Sequence, residues 1–286
     1  MNIRIISDLH IDVNNYKGKP YTKISDVFIH GIGLENPKPL TVIAGDISGS
    51  LDETRRFLRR HFKSVVFVGG NHIVYNHERK PIQQLHHEYR EEFPKKSNIT
   101  YLENDYKIIG DTVFIGATLW TDYEYGGNPT KNMKMAARHM NDFNFGYYKS
   151  DGVKEDLNPG HCRQMFFESI RAIKDIYDRF EDSGMKIVLV THTGFAPGAV
   201  EEKFAKHPAI SSYVNSPTLS EYISVRMPKL SLIIHGHTHA RFEYNIGNIP
   251  AICNPFGYAM YGEDAEEPEF KRDFVVNLNT MKTSCR

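Results

Sequence analysis

Six short runs rich in valine and isoleucine recur along the chain, at Ile3–Ser7, Leu40–Gly45, Ser64–Gly69, Thr112–Ala117, Lys186–Thr191 and Leu230–His235. Each has the length of a strand and is too short for a typical helix. Their apolar character is nearly continuous, where a half-exposed strand would alternate. Strands of that kind are buried on both faces, so the chain must cover a sheet on each side. The covering elements are legible between the runs, as helical patterns at Asp52–Lys63, Arg79–Phe93, His161–Phe180 and Pro217–Val225. Pro159-Gly160 reads as a loop before the third helix, and Ser183-Gly184 as its stop signal. Strands alternating with helices define an α/β fold.

Three further strands are expected near the C-terminus, at Arg241–Ile246, Ile249–Cys253 and Asp273–Asn279, the first two joined through Gly247-Asn248 as an antiparallel hairpin. No fixed-period repeat and no low-complexity linker divides the chain, so residues 1–286 read as one domain. Residues 121–160 are the least regular stretch, with Gly126-Gly127, Asn128-Pro129, several tyrosines and a helical patch at Met133–Met140. They read as an insertion or lid beside a site. Glu263–Glu269 reads as an acidic surface loop.

Five of the apolar runs end on polar residues of one chemical kind. Ser7-Asp8-Leu9-His10 follows the first and Gly45-Asp46 the second. Gly69-Gly70-Asn71-His72 follows the third, His192 the fifth, and His235-Gly236-His237-Thr238-His239 the last. Ligands of open α/β sheets bind outside the carboxyl ends of the strands, so these motifs converge on one point. Aspartate, asparagine and histidine offer hard oxygens and borderline nitrogens without thiolate. That set suits Mn²⁺, Fe, Zn²⁺ or Ni²⁺. Seven ligands exceed the needs of one tetrahedral ion and suit two ions sharing a carboxylate.

The order DxH, GD, GNH, a lone histidine after a strand, and GHTH resembles the calcineurin-like metallophosphoesterase superfamily, from Asp8 to His239. The resemblance implies two mixed sheets packed as a sandwich flanked by helices. It implies that Asp8, His10 and His239 hold one ion, that Asn71, His192 and His237 hold a second, and that Asp46 bridges them, with manganese the foremost metal. It implies that a metal-bridging hydroxide attacks phosphorus in line, while His72 protonates the leaving group, a contribution of roughly 10²–10⁴-fold. A phosphodiester or small nucleotide-like substrate is the first expectation and a phosphomonoester the alternative. Thr118–Tyr123, Met140–Phe143 and Asn254–Tyr258 resemble segments of uncharacterised bacterial and phage phosphoesterases. Three departures from the superfamily pattern stand out. Ile73 occupies the place of an acid that commonly follows GNH, Thr193 that of a second histidine, and Gly45–Gly49 lacks the GDxxDRG form of Ser/Thr protein phosphatases.

Other polar features have plainer readings. Arg55, Arg56, Arg59, Arg60 and Lys63 fit a solvated helix face better than a nucleic-acid contact. His235 lies inside a strand run and is expected to support the site without ligating. His86-His87 is expected in solvent. Met133, Met135 and Met140 read as core filler, and Tyr123, Tyr125, Tyr147 and Tyr148 as packing. Arg138 and Asn141 are candidate substrate contacts.

The formal net charge is zero, which argues against an electrostatic grip on nucleic acid and so against a DNA nuclease. A catalytically dead scaffold would be expected to lose ligands, and all seven are present. The three cysteines, Cys162, Cys253 and Cys285, form neither a disulfide framework nor a thiolate site. With no apolar stretch of about 20 residues and ligands starting at Asp8, the expected location is the cytoplasm, without membrane attachment, and the expected partner is a small phosphate ester.

Overall fold

Two six-stranded sheets pack face to face in a computed structural model that describes residues 1–14, 39–76, 78–258 and 270–284. In chain order the strands are β1 (Asn2–Ile6), β2 (Leu40–Ile43), β3 (Val65–Phe67), β4 (Ile99–Tyr101), β5 (Asp105–Ile109), β6 (Thr112–Ala117) and β7 (Tyr147–Ser150). They continue as β8 (Val153–Asp156), β9 (Lys186–Thr191), β10 (Leu230–His235), β11 (Phe242–Ile246), β12 (Ile249–Cys253), β13 (Val275–Asn277) and β14 (Thr283–Ser284). The first sheet has the order β14-β13-β1-β2-β3-β4 and the second β11-β12-β10-β9-β6-β5. Each is parallel through its middle, β1 to β4 in one and β6, β9, β10 and β12 in the other, with antiparallel strands added outside.

The apolar runs are continuous because successive side chains serve two different cores. Ile3, Ile5, Val42, Ala44, Val66 and Val68 of the first sheet meet Val188, Val190, Leu232 and Ile234 of the second between the sheets. The alternate residues Ile43, Val65 and Phe67 face outward to the helices over the first sheet. Ile187, Leu189 and Ile233 do the same on the second. A polar residue on either face would lie in a core, which is why these strands show no alternation.

Five helices of ten residues or more are described: α1 (Leu51–His61), α2 (Ile82–Glu92), α3 (Pro129–His139), α4 (Pro159–Phe180) and α5 (Pro217–Arg226). In α1 the Ser50 side chain accepts from Glu53 N–H, Asp52 and Glu53 occupy the first turn, and Arg59, Arg60 and His61 the last. That order complements the helix dipole. Thr54, Phe57 and Leu58, spaced three and four apart, are its buried face. Arg55 and Arg56 pair with Asp52, and Arg59 reaches Glu92 at 2.6 Å, as a solvated basic face would. Helix α4 starts at Pro159, inside the expected loop, because Asn158 caps it in a box with His161 and proline fits the first helical position.

Two expectations are corrected. Residues 121–160 are not irregular: they hold α3, a short turn of helix at Asp142–Phe145 and the β7–β8 hairpin. Trp120, Tyr123, Ala136, Tyr148 and Leu157 join the same core as Ile43 and Phe67, so the segment is bolted to the first sheet. His86 is buried, with Nδ1 2.7 Å from the Tyr101 hydroxyl, and only His87 of that pair is exposed. Strands β4 and β5 were unannounced: β4 has three residues, and β5 is an edge strand whose residues are half-buried or exposed. The C-terminal strands form as expected, but β12 also runs parallel to β10, while β13 crosses to pair with β1. The Glu263–Glu269 stretch lies outside the described residues.

The two-core arrangement sets the cost of emptying the interior. Leu232, fully buried between the sheets, should cost about 2–5 kcal/mol as Leu232→Ala. Val225→Ala, at a side chain 64% exposed, should stay within about 0.5 kcal/mol of the parent. Urea unfolding of the two variants checks the contrast.

Candidate metal centre

The strand ends of both sheets meet at one edge. Asp8 and His10 follow β1, Asp46 follows β2, and Asn71 and His72 open a turn of 3₁₀ helix after β3. From the second sheet His192 follows β9, and His237 and His239 follow β10. The backbone bends hard to deliver them. Asp8, His10, Asp46, His237 and His239 all have positive φ, between 41° and 71°. Non-glycine residues hold that region only where the surroundings enforce it, and such residues gather at functional sites. Gly70 adopts φ 81°, and a Cβ there would run into the Asp46 carboxylate and, at 2.6 Å, its backbone nitrogen. Only glycine lets the third loop pass this close to the second.

The seven expected ligands come together. His10 Nε2 lies 3.0 Å from His239 Nε2, and the two nitrogens are 4.0 and 3.7 Å from Asp8 Oδ1. His192 Nε2 lies 2.8 Å from Asn71 Oδ1, 3.3 Å from Asp46 Oδ2 and 3.3 Å from His237 Nδ1. Asn71 Oδ1 is also 3.1 Å from His237 Nδ1. Asp46 stands between the groups, with Oδ2 3.8 Å from both His10 Nε2 and His72 Nε2. Ligands about 2.1 Å from one ion, at right to tetrahedral angles, sit roughly 3.0–3.5 Å from one another. The spacings around His192, at 2.8–3.3 Å, and the His10–His239 pair, at 3.0 Å, are close to that pattern, while those from Asp8 to His10 and His239 and from Asp46 to His10, at 3.7–4.0 Å, are wider.

Hydrogen bonds fix which atoms face inward. The Ala44 carbonyl can only accept, so His192 Nδ1–H donates to it at 2.8 Å and Nε2 is turned to the centre. Asn71 Nδ2 donates to Asp142 Oδ1 at 2.7 Å, which aims Asn71 Oδ1 at His192 and His237. The backbone N–H of His237 donates to Asp8, and that of His72 to Asp46 Oδ1, at 2.9 Å each. The inward atoms are therefore lone pairs facing lone pairs. One proton can satisfy one such contact, whereas a cation satisfies all of them together. The donor set fits a hard or borderline metal ion.

Electrostatics point the same way. Burial, reinforced by neighbouring imidazoles, holds His10 and His237 well below the usual histidine pKa, which favours the neutral form that could ligate a metal. Burial pushes Asp46 upward, but His192 and His72 outweigh it and leave the carboxyl well below its usual range. Burial likewise opposes the His192 imidazolium, yet Asp46 and Asp8 hold its pKa up at about 9. The centre demands positive charge beside Asp46, as a proton on His192 or as a bound cation.

His72 adjoins the first group, with Nε2 3.8 Å from Asp46 Oδ2 and its ring centroid 4.3 Å from that of His10. Its ring stacks on Tyr75, with centroids 4.2 Å apart and planes 7° from parallel, and its Nε2 lies 3.0 Å from the Tyr258 hydroxyl. Ile73, which replaces the usual acid, is buried in the core and leaves orientation of His72 to these two tyrosines. Tyr75 also donates to Asp142 Oδ1 at 3.3 Å. Asp142, Tyr75 and Tyr258 are site residues that sequence reasoning did not single out. Two of them fall in the Met140–Phe143 and Asn254–Tyr258 segments whose resemblance had been noted. His235 does not ligate: its ring bonds the Tyr244 hydroxyl at 2.9 Å. Arg138 is exposed on α3, and Asn141 is exposed one residue before Asp142.

A calcineurin-like phosphoesterase model matches residues 1–241, and the chain belongs to that family. It is a phosphoric ester hydrolase. An uncharacterised protein of Acanthamoeba polyphaga mimivirus is 22% identical over 280 residues, 90% of this chain and 91% of its own. Among solved structures, the phosphopantetheinyl hydrolase of Mycobacterium tuberculosis superposes with a TM-score of 0.64 at 17% identity, covering 93% of this chain and 92% of that one. A putative 5′-nucleotidase of Staphylococcus aureus gives 0.52 at 12% identity, covering all of this chain but 53% of that one. These structures share the sandwich fold. No described helix is long and apolar enough to cross a membrane.

Asp142 supports a ligand and makes no ligand contact of its own to the centre. Asp142→Ala should therefore lower metal affinity by about 10–100-fold without removing a ligand. Metal titration followed by calorimetry checks this; unchanged affinity would assign Asp142 to packing alone.

Proposed function

We propose that the chain hydrolyses a phosphodiester or small nucleotide-like phosphoester with two bound ions. The observation that carries this reading is the grouping of ligand atoms. Asp8, His10 and His239 form one cluster and Asp46, His192 and His237 another, with Asn71 Oδ1 in the second, and a third grouping of His10, Asp46 and His72 joins the two through Asp46, which is within 4 Å of both. Manganese is the first metal to test, with iron, zinc and nickel as alternatives, and bound ions would supply Lewis acidity and a water acidified toward neutral pH.

The chain's own groups do the rest. Asp46 would serve both ions through one carboxylate. His72 would hold a proton on Nε2, beside the Tyr258 hydroxyl, and deliver it to the leaving-group oxygen. Stacking on Tyr75 would keep that ring in one plane as the proton moves. Arg138 and Asn141, exposed on the segment that carries Asp142, are the groups this reading assigns to the outer oxygens of the substrate. The electrostatic demand of the centre, met by ions and not by a long basic surface, favours a compact ester over nucleic acid.

The first test compares bis-p-nitrophenyl phosphate with p-nitrophenyl phosphate on chelated protein re-supplied with Mn²⁺. Metal-dependent cleavage, faster for the diester, is the expected result; faster cleavage of the monoester would make the protein a phosphomonoesterase. Metal analysis should find two ions per chain in the parent and fewer in Asp46→Asn.

For His72→Asn the expectation is retained metal and a loss of turnover of about 10²–10⁴-fold. The loss should be greatest for esters with poor leaving groups. An equal loss across a leaving-group series would remove His72 as the acid.

A further inference from the structure

Beside the bridging Asp46, the second ion is assigned three ligands, and two of them are aimed by a hydrogen bond at the atom turned away from the centre. His192 Nδ1–H donates to the Ala44 carbonyl at 2.8 Å, and Asn71 Nδ2 donates to Asp142 at 2.7 Å. His237 is different. Its Nδ1 faces inward, 3.1 Å from Asn71 Oδ1 and 3.3 Å from His192 Nε2. Its Nε2 has no hydrogen-bond partner among the described residues. A metal-bound histidine is usually oriented by a bond at its other nitrogen. Something else must hold this ring.

The ring lies along the face of Tyr213, with centroids 5.6 Å apart and planes 21° from parallel. His192 meets the same ring nearly at right angles, at 82°, so Tyr213 is the neighbour that defines its plane. Tyr213 is itself fixed and buried. Tyr123 meets it edge-on at 86°, and the two hydroxyls are 3.1 Å apart. The Thr121 hydroxyl donates to the carbonyl of Ser212, and the Ser216 N–H donates to the Phe195 carbonyl at 3.2 Å. Tyr123 is tied to α3, whose Asn132 Nδ2 donates to its carbonyl at 2.8 Å. Offset stacking favours a near-parallel arrangement of two rings and leaves both imidazole nitrogens unblocked. A swing of the imidazole out of that plane would break the stack and carry Nδ1 away from Asn71 and His192. Tyr213 also belongs to the core that contains Trp120 and Tyr123, but packing alone asks for apolar bulk and not for a flat face.

We propose that Tyr213 is a positioning residue for the second ion, its ring holding the His237 imidazole in the plane that turns Nδ1 to the ligand cluster. It does for His237 what the Ala44 carbonyl does for His192 and Asp142 for Asn71. The proposal rests on the two-ion reading of the centre and adds that the two ions are supported separately. Segment 121–160 backs the second from two directions: Asp142 aims Asn71, and Tyr123 braces Tyr213 behind His237.

The test is calorimetric titration of Mn²⁺ into chelated protein, which should resolve two binding steps in the parent. Asn71→Ala, which removes a ligand of the second ion alone, marks the step that belongs to that ion. Tyr213→Leu keeps apolar bulk without a ring and should weaken the marked step by about 3–10-fold, the other step staying within about twofold of the parent. Tyr213→Phe keeps the ring and should bind both ions as the parent does. Tyr213→Met takes the place of the leucine variant if that one does not fold. Equal weakening of both steps, weakening of neither, or the same loss in Tyr213→Phe would overturn the proposal. A parent that binds one ion or none would sink the two-ion reading and this proposal with it. Two ions bound equally well by the parent and Tyr213→Leu would sink this proposal alone.

Discussion

Asp8 and Asp46 are carboxylates almost wholly withdrawn from water, and the groups that face them are imidazoles and backbone amides. A buried anion of this kind costs several kcal/mol unless a positive charge answers it. Much of the architecture around the strand ends serves that requirement. Two sheets present their carboxyl ends at one edge so that ligands from each can surround the same charges. Five ligand residues hold positive φ to bring their side chains inward. The loop carrying Asn71 passes so near the loop carrying Asp46 that glycine is the one residue able to stand at position 70. Burial holds His10 and His237 well below the usual histidine pKa, which disfavours them as the source of the neutralising charge.

The second tier of contacts explains why the centre holds its shape. His192 is locked by the Ala44 carbonyl, Asn71 by Asp142, and both carboxylates by backbone amides of the facing loops. These bonds cross between strand ends far apart in sequence, so these four groups are each oriented by a segment other than their own. His72 is the exception in kind. Its ring is placed by stacking on Tyr75, an edge contact with His10 and the Tyr258 hydroxyl.

The fold and the ligands were legible in the sequence for a shared physical reason. Strands buried on both faces cannot tolerate polar residues, so the first polar residues after each run mark both the strand end and the site. That is why β6, β9, β10 and β12 fall on their expected residues, and why the seven candidate ligand residues, which the fold brings together, stand out in the sequence. The misses have physical causes too. Strand β4 has only three residues, and edge strand β5 is only partly buried, with Asp105 and Lys107 interrupting its apolar residues. The segment 121–160 seemed loop-like because its glycines and polar residues lie at turns, while its few buried aromatics anchor it. Asp142, Tyr75 and Tyr258 carry no spacing rule, since their roles arise only from contacts between distant loops. Arg138 and Asn141, the candidate substrate contacts, are exposed, and the buried group of that segment that reaches Asn71 is their neighbour Asp142.

One carboxylate oxygen, Asp142 Oδ1, accepts from both Asn71 and Tyr75, and Tyr75 is the platform for His72. Asp142 itself lies just beyond α3. One substitution there withdraws an acceptor from Asn71 and from the platform of His72 at once, so the placement of residues 71 and 72 is joined through a single oxygen atom.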